Sequence, residues 1–97
     1  MTPKPDQLLA ALNHPVRRRI LRTFDGKEAI SPVELAERLA VPLTTVSYHV
    51  RILADQRALK LVRTKPARGA VEHFYRSMVK AEWALVALRA SKGADGG

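Results

Sequence analysis

The chain has 97 residues, enough for one compact domain and too few for two. Its 46% hydrophobic and 27% charged residues are typical of a globular protein and exclude a disordered chain. It contains no cysteine, which excludes disulfides, thiolate chemistry and cysteine-ligated zinc. Charged residues interrupt every apolar stretch well before the ~20 residues of a membrane span, and no signal-peptide core follows residues 1–6. We therefore expect a cytoplasmic protein.

The charge of the chain is strongly positive and unevenly distributed. Seventeen Lys and Arg residues oppose nine Asp and Glu residues, so the net charge is +8. Residues 57–76 carry six Lys or Arg residues and a single acidic residue, Glu72. Such an electrostatic footprint on a small domain favours a polyanionic partner, nucleic acid first and an anionic membrane second.

The chain is predicted to begin with two helices. Residues 1–5 form a loose lead-in, and Asp6 is positioned to cap the first helix. Three leucines share this helix at helical spacing: Leu8, Leu9 and Leu12. Pro15 marks the start of the second helix, which we expect to end near Gly26 because glycine suits the residue after a helix end.

The middle of the chain predicts a helix-turn-helix over residues 31–55. Ser31, Pro32 and Glu34 combine an N-cap hydroxyl, a proline in the first turn and the glutamate of a capping box. A short break over residues 40–43 precedes a helix over 44–54. Its apolar stripe consists of Val46, Val50 and Leu53. Two short helices joined by a tight turn are typical of a helix-turn-helix.

The residues after the helix-turn-helix predict a basic β-hairpin and a last helix. Residues 59–65 and 70–76 alternate in the manner of strands around a turn at 66–69. A terminal helix is predicted over 79–91, followed by a flexible tail over 92–97. This order predicts a single domain over 6–91, mostly α with a small β-hairpin. We expect a winged helix-turn-helix of about five helices with a two-stranded wing over 59–76.

Three stretches resemble the ArsR-type bacterial repressors, within a similarity that runs from about Leu8 to Arg76. They are ALNHPVRRRIL at 11–21, VELAERL at 33–39 and TVSYHVRIL at 45–53. The first and third are fairly specific, because family members similarly place proline then arginine in the second helix and a Val-Ser-x-His-Leu-like run in the recognition helix. The resemblance implies a transcriptional regulator that binds double-stranded DNA. It also implies a homodimer that represses from a roughly palindromic operator.

Two positions depart from the pattern of the resembled family. Pro42 stands where family members usually have a serine or threonine cap, which predicts a slightly displaced start of the recognition helix. Arg57 stands where most members have glycine. We therefore expect either a non-glycine residue in an unfavourable conformation at Arg57 or a different turn.

The candidate DNA contacts lie on the recognition helix and on the wing. Side chains opposite the apolar stripe of a recognition helix point into the major groove. Thr44, Tyr48, Arg51 and Asp55 lie opposite the stripe, with Ser47 on a flank. The candidate contacts on the helix are Thr44, Thr45, Ser47, Tyr48 and Arg51. Arg63, Lys65 and Arg68 of the hairpin, together with Arg76, are predicted to contact the backbone or the minor groove. The alternatives are a solvated helix face and lysines that protect edge strands from pairing.

Neither metal binding nor catalysis is predicted. Many family members sense metals through cysteines at places that match Ser31 and Val33, which supply no thiolate. His14, His49 and His73 are far apart in sequence and favour structural or surface roles. The chain has no Gly-rich phosphate loop and no HExxH motif, so we expect no catalytic residue, no metal and no cofactor. An unidentified small-molecule inducer is compatible with the sequence, although no pattern marks its site.

The last helix is apolar on two sides, which predicts a dimer. Leu85 and Leu88 lie opposite Trp83, so the two sides cannot both face one core. We expect Leu85 and Leu88 to form a two-fold interface with the leucines of the first helix, Leu8, Leu9 and Leu12. Terminal helices form this interface in the resembled family as well.

Two alternatives to a sequence-specific regulator stay open. One is a non-specific nucleic-acid-binding or architectural protein, and the other is a winged helix that serves as a protein-interaction module. A further basic cluster belongs to the second helix: Arg17, Arg18, Arg19 and Arg22. Helical spacing spreads these side chains around the helix, so a solvated surface or ion pairing is favoured over DNA contact.

Overall fold

The computed structural model describes residues 2–24 and 28–94, with side chains described as far as residue 90. These ranges form a winged helix-turn-helix of five helices and one antiparallel hairpin, which confirms the predicted fold class. In chain order the elements are α1 (Pro5–Leu12), α2 (Pro15–Thr23), α3 (Pro32–Leu39), α4 (Leu43–Asp55), β1 (Leu59–Ala67), β2 (Ala70–Ser77) and α5 (Glu82–Ala94). None of the helices described reaches the length and hydropathy that crossing a bilayer requires.

The first three helices each begin with proline in the first turn, where the missing N–H costs nothing. Ser31 caps α3 as predicted, because its hydroxyl oxygen accepts from the Glu34 N–H at 3.2 Å. The cap predicted for α1 is wrong. This helix begins at Pro5, and the Gln7 side chain accepts from the Lys4 N–H at 2.8 Å, so Asp6 lies inside the first turn. The expected end of α2 near Gly26 lies outside the described residues.

The arginines of α2 are half-buried and hydrogen-bonded to the ends of neighbouring helices. The bonds run from Arg17 to the carbonyls of Ala10 (3.0 Å) and Ala11 (3.1 Å), from Arg18 to Leu12 (2.6 Å), and from Arg19 to Leu39 (2.8 Å). The last carbonyls of a helix have no partner within it and carry the negative end of its dipole. Guanidinium groups therefore cap α1 and α3, which corrects the expectation of a solvated or ion-paired surface.

Backbone hydrogen bonds at its base hold the wing against the helices. Ile30 and Tyr75 exchange N–H···O bonds of 2.8 and 2.9 Å, and the Met78 N–H donates to the Ala58 carbonyl at 2.8 Å. The far end of the wing turns more tightly than predicted. Arg68 and Gly69, at φ of 39° and 78°, form a two-residue turn, as the right-handed twist of hairpins favours.

The last helix packs differently from the expectation. It begins at Glu82, three residues after the predicted start, and it buries Ala84 and Leu88 against the core. Trp83 is 44% exposed and Leu88 only 4%. The small side chain of Ala84 lets α5 approach the core closely, whereas an indole there would hold it away. Leu88 is therefore a core residue and not an interface residue.

Leu8, also expected at the dimer interface, is buried in the core of the domain. Leu12 is partly buried against this core, whereas Leu9 remains 61% exposed. The reason is that α1 lies on α2 with the side that carries Leu8 and Ala11. Of the residues expected at the interface, only Leu9 and Leu85 are therefore largely available to a partner.

Candidate nucleic-acid interface

The recognition helix α4 separates a buried face from a polar one. Its buried side chains are Val46, His49, Val50 and Leu53. Thr44, Tyr48 and Arg51 are exposed, and Thr45 and Ser47 are half-buried. The polar face is therefore accessible to a ligand as large as a DNA duplex.

The expected displacement of the start of α4 is wrong, because the N-cap falls at Pro42 itself. The helix begins at Leu43, and Pro42 occupies the N-cap position without a capping side chain. Two non-glycine residues near the helix-turn-helix adopt left-handed backbone: Ala40 at the end of α3, with φ of 55°, and Arg57 after α4, with φ of 62°. The unfavourable conformation expected at Arg57 is thus confirmed.

A groove of about 410 Å³ separates α4 from the wing. Ser47, Arg51 and Asp55 line its helix side, because residues four apart share one face. On the other side β2 contributes Val71, Glu72, His73 and Tyr75. The structure therefore brings two predicted contacts, Ser47 and Arg51, opposite the wing.

The sequence places Asp55 on the polar face of α4, but it assigns no DNA contact to Asp55 or to Glu72. Asp55 and Glu72 lie on the two walls of the groove. Ser47, Arg51 and Asp55 are four residues apart, so helical spacing alone puts Asp55 on the same face as the other two. Carboxylates beside a basic surface can accept from the amino group of cytosine and repel phosphate, so they contribute to discrimination.

Three predicted cations of the wing, Arg63, Lys65 and Arg68, are exposed, and they are held differently. The Arg63 guanidinium lies 3.9 Å from the centre of the Phe74 ring, a cation–π contact that orients it. Lys65 stands directly opposite Glu72 in the hairpin register, and Arg68 lies at the tip. Arg76 lies at the other end of the wing and lines a different cleft. The structure thus separates Arg76 from the other wing cations.

Two histidines that are far apart in sequence meet behind the recognition helix. The rings of His14 and His49 are 4.4 Å apart, and Arg17 Nη1 lies 3.4 Å from His49 Nδ1. Burial, followed by the nearby His14 and Arg17, lowers the pKa of His49. His14 also caps α2, because its Nδ1 accepts from the Val16 N–H at 3.1 Å. These contacts join α2 to the recognition helix.

This histidine pair lacks a further metal-ligating neighbour. Within residues 2–24 and 28–94, no group of three or more His, Asp or Glu side chains is placed to hold a metal ion. His73 lies exposed on β2, on the wall of the groove. The Arg17 cation beside His49 also disfavours a second cation at this position.

Solved structures share this fold at low sequence identity. NolR from Sinorhizobium fredii matches with a TM-score of 0.60 and 22% identity, over 96% of this chain and 85% of that one. The transcriptional repressor BigR from Xylella fastidiosa matches with a TM-score of 0.60 and 24% identity, over 93% and 81%. The antimony-specific transcriptional repressor AntR matches with 0.62 and 21%, over 93% and 78%. No curated protein sequence matches the chain significantly.

The fold and the site define a winged helix-turn-helix protein, and the resemblance to ArsR-type repressors is confirmed at the level of the fold. The family model described as a helix-turn-helix domain matches residues 12–62, more than half of the chain. The chain belongs to this helix-turn-helix domain family. Its family and fold are those of DNA-binding transcriptional regulators.

Proposed function

We propose that this protein is a sequence-specific transcriptional repressor that binds a palindromic operator as a homodimer. The observation that carries the proposal is the groove between α4 and β2. Polar side chains of the recognition helix form one wall, and the exposed basic wing continues the other. The recognition helix would enter the major groove and contact bases, and the wing would contact the phosphate backbone and position the protein on the duplex.

Arg51 is the side chain best placed to read a base. It is exposed on the polar face of α4 and lies on the groove wall beside Ser47. An arginine in this position presents two parallel donors to the O6 and N7 atoms of guanine. Thr44, Thr45 and Tyr48 on the same helix would add hydroxyl contacts to bases or phosphates.

The test begins with selection of bound fragments from a random DNA pool by the full chain. Selected sites should share one motif, and one labelled site should stay bound against excess random DNA at physiological salt. Binding without a motif would replace the proposal by a non-specific or architectural role. No duplex binding would favour a protein-interaction module.

A pair of variants then tests the role of Arg51. Arg51→Ala should cost about 1–3 kcal/mol of binding free energy on the selected site and relax the preference at one base position. Arg38→Ala is the matched control, because Arg38 is exposed on α3 and pairs with Glu28 at 3.0 Å. An equal loss on all sequences would make Arg51 a phosphate contact.

We infer the homodimer from the apolar side chains that the terminal helices α1 and α5 expose. Leu9 on α1 is 61% exposed, and α5 exposes three apolar residues: Trp83, Leu85 and Val86. Both terminal helices pack against α2. Exposed apolar clusters of this kind often mark protein–protein contacts. A second copy would cover them and set two recognition helices about one DNA turn apart.

Charging two of these positions tests the dimer. Leu9→Glu with Val86→Glu should give a monomer by sedimentation that keeps its helical circular dichroism. DNA affinity should then collapse, because one half-site alone competes poorly with non-specific DNA. Val33→Glu, at an exposed position of α3, should leave the sedimentation unchanged. A double variant that remains dimeric would place the interface elsewhere.

A further inference from the structure

A second cleft, of about 510 Å³, lies away from the groove beside α4. It forms where the end of α2, the end of β2 and helix α5 meet. Its apolar lining consists of Leu21, Phe24, Val79, Leu85 and Leu88. The volume falls within the range of small-molecule sites, which are mostly apolar with a few placed polar groups.

Three polar residues also line this cleft: Arg76, Ser77 and Lys80. Neither the Arg76 nor the Lys80 side chain has a hydrogen bond or an ion pair in the part of the chain that the structure describes. The Ser77 hydroxyl oxygen accepts from the Val79 N–H at 3.2 Å, so its proton is available to a ligand. The cleft therefore offers several donors and an apolar floor.

The cross-strand partner of Arg76 carries a like charge. Lys60 on β1 stands directly opposite Arg76 in the hairpin register. Like charges at directly opposed positions of an antiparallel pair are unfavourable. An anion beside Arg76 would relieve this repulsion, so the site is complementary in charge to a negatively charged ligand.

We propose that this cleft binds a small monocarboxylate with an apolar tail. The planar guanidinium of Arg76 matches the two oxygens of a carboxylate, and Lys80 and Ser77 supply further donors. The apolar tail would lie against Phe24 and Leu88. A neutral apolar ligand would leave the cations unpaired, and a small inorganic anion would leave the apolar floor uncovered.

The consequence for DNA rests on the proposed function. The bound carboxylate neutralises charge at the base of the wing and contacts α5, the helix assigned to the dimer. Occupation of the cleft therefore weakens DNA binding. By linkage, DNA weakens carboxylate binding by the same factor.

The experiment is a calorimetric titration of the full chain with decanoate as the probe and 1-decanol as its uncharged counterpart. Arg76→Gln with Lys80→Gln removes the charges of the cleft. Lys4→Gln with Arg89→Gln removes the same charge at exposed positions outside it. The single tryptophan, Trp83, lies on α5 and reports the same titration by its fluorescence.

The expected result is saturable binding of one decanoate per chain, with decanol bound about tenfold more weakly or worse. Arg76→Gln with Lys80→Gln should weaken decanoate binding by about tenfold as well. The control variant should bind decanoate within about twofold of the wild type. Absence of saturable decanoate binding overturns the proposal. Equal affinity for decanol, or an unaffected cleft variant, overturns it as well.

DNA titrations with and without decanoate separate this proposal from the proposed function. A several-fold loss of DNA affinity at saturating decanoate supports the regulatory part, and an unchanged affinity overturns it. Decanoate binding by a protein that binds no DNA would support the cleft and overturn the proposed function. DNA binding by a protein that ignores decanoate would overturn the cleft alone.

Discussion

Helix α2 and the wing are both rich in basic residues, yet the structure uses these residues in opposite ways. Arg17, Arg18 and Arg19 donate to carbonyls at the ends of α1 and α3. Lys65 and Arg68 are exposed on the outer part of a hairpin whose base is hydrogen-bonded to the rest of the molecule. Charge in one region is directed at the protein's own backbone, and in the other it is available to a partner.

The difference comes from what surrounds each side chain and not from residue type. Four helices contact α2, and two of them, α1 and α3, end beside it with carbonyls that the α2 arginines reach. The wing has only two strands, and toward its tip, over residues 60–71, the side chains on both faces are exposed to solvent. A count of arginines along the sequence therefore overstates the nucleic-acid surface of this protein.

The largest expected effect concerns the arginines of α2, which should contribute to the stability of the fold. Arg17→Met keeps the aliphatic stem but removes the bonds to the Ala10 and Ala11 carbonyls. The free energy of unfolding should fall by about 2–3 kcal/mol, because half-buried acceptors are deprived of charge-assisted bonds. Urea titration measures this, with Arg89→Met on exposed α5 as the control. A decrease below about 0.5 kcal/mol would make Arg17 a surface residue after all.

Substitutions in the wing should weaken DNA binding and leave the stability of the fold unchanged. Lys65→Ala with Arg68→Ala should weaken DNA binding about tenfold at low salt, or about 1.4 kcal/mol. The slope of log affinity against log salt should flatten by about one unit for each phosphate that is no longer neutralised. The free energy of unfolding should stay within about 0.5 kcal/mol of the wild type, since both positions are exposed. Unchanged affinity and slope would show that the wing does not contact the backbone.

A smaller effect concerns the left-handed residue before the recognition helix. Ala40→Gly should raise the free energy of unfolding by about 0.5–1 kcal/mol, because only glycine adopts φ of 55° without a Cβ penalty. Ala87→Gly in the exposed face of α5 should lower it by a similar amount. Thermal or urea unfolding of the pair decides whether backbone strain is stored at this turn. If Ala40→Gly lowered the free energy of unfolding as Ala87→Gly does, the backbone at Ala40 would not be strained.

The smallest expected effect is a pH dependence from the histidine pair. Because the pKa of His49 lies below the usual 6.5 in the folded state, the unfolded chain takes up its proton first as the pH falls. The free energy of unfolding should therefore be fully retained above about pH 6.5 and decrease as the pH drops below it. His49→Gln should remove this decrease, and His73→Gln, at an exposed strand position, should retain it. The same slope in both variants would assign the dependence to another group.

Much of the fold was predictable from local patterns. The proline and serine at the start of α3 identified that helix, and strand alternation identified the hairpin. The polar face of α4 followed from the positions of Val46, Val50 and Leu53 alone. Where two faces of one helix were both apolar, as in α5, periodicity could not decide which was internal. Contact with α2 decided in favour of Ala84 and Leu88.

The sequence by itself determined the winged helix-turn-helix order and the position of the basic segment, because helix caps, periodicity and charge are encoded within a few neighbouring residues. Only the tertiary structure decided which charges are available. It placed Arg17 beside His49, 32 residues away, and Asp55 across a groove from Glu72. It also left Arg76 and Lys80 beside an apolar cleft. Pairing and burial depend on packing between distant segments, which no local pattern specifies.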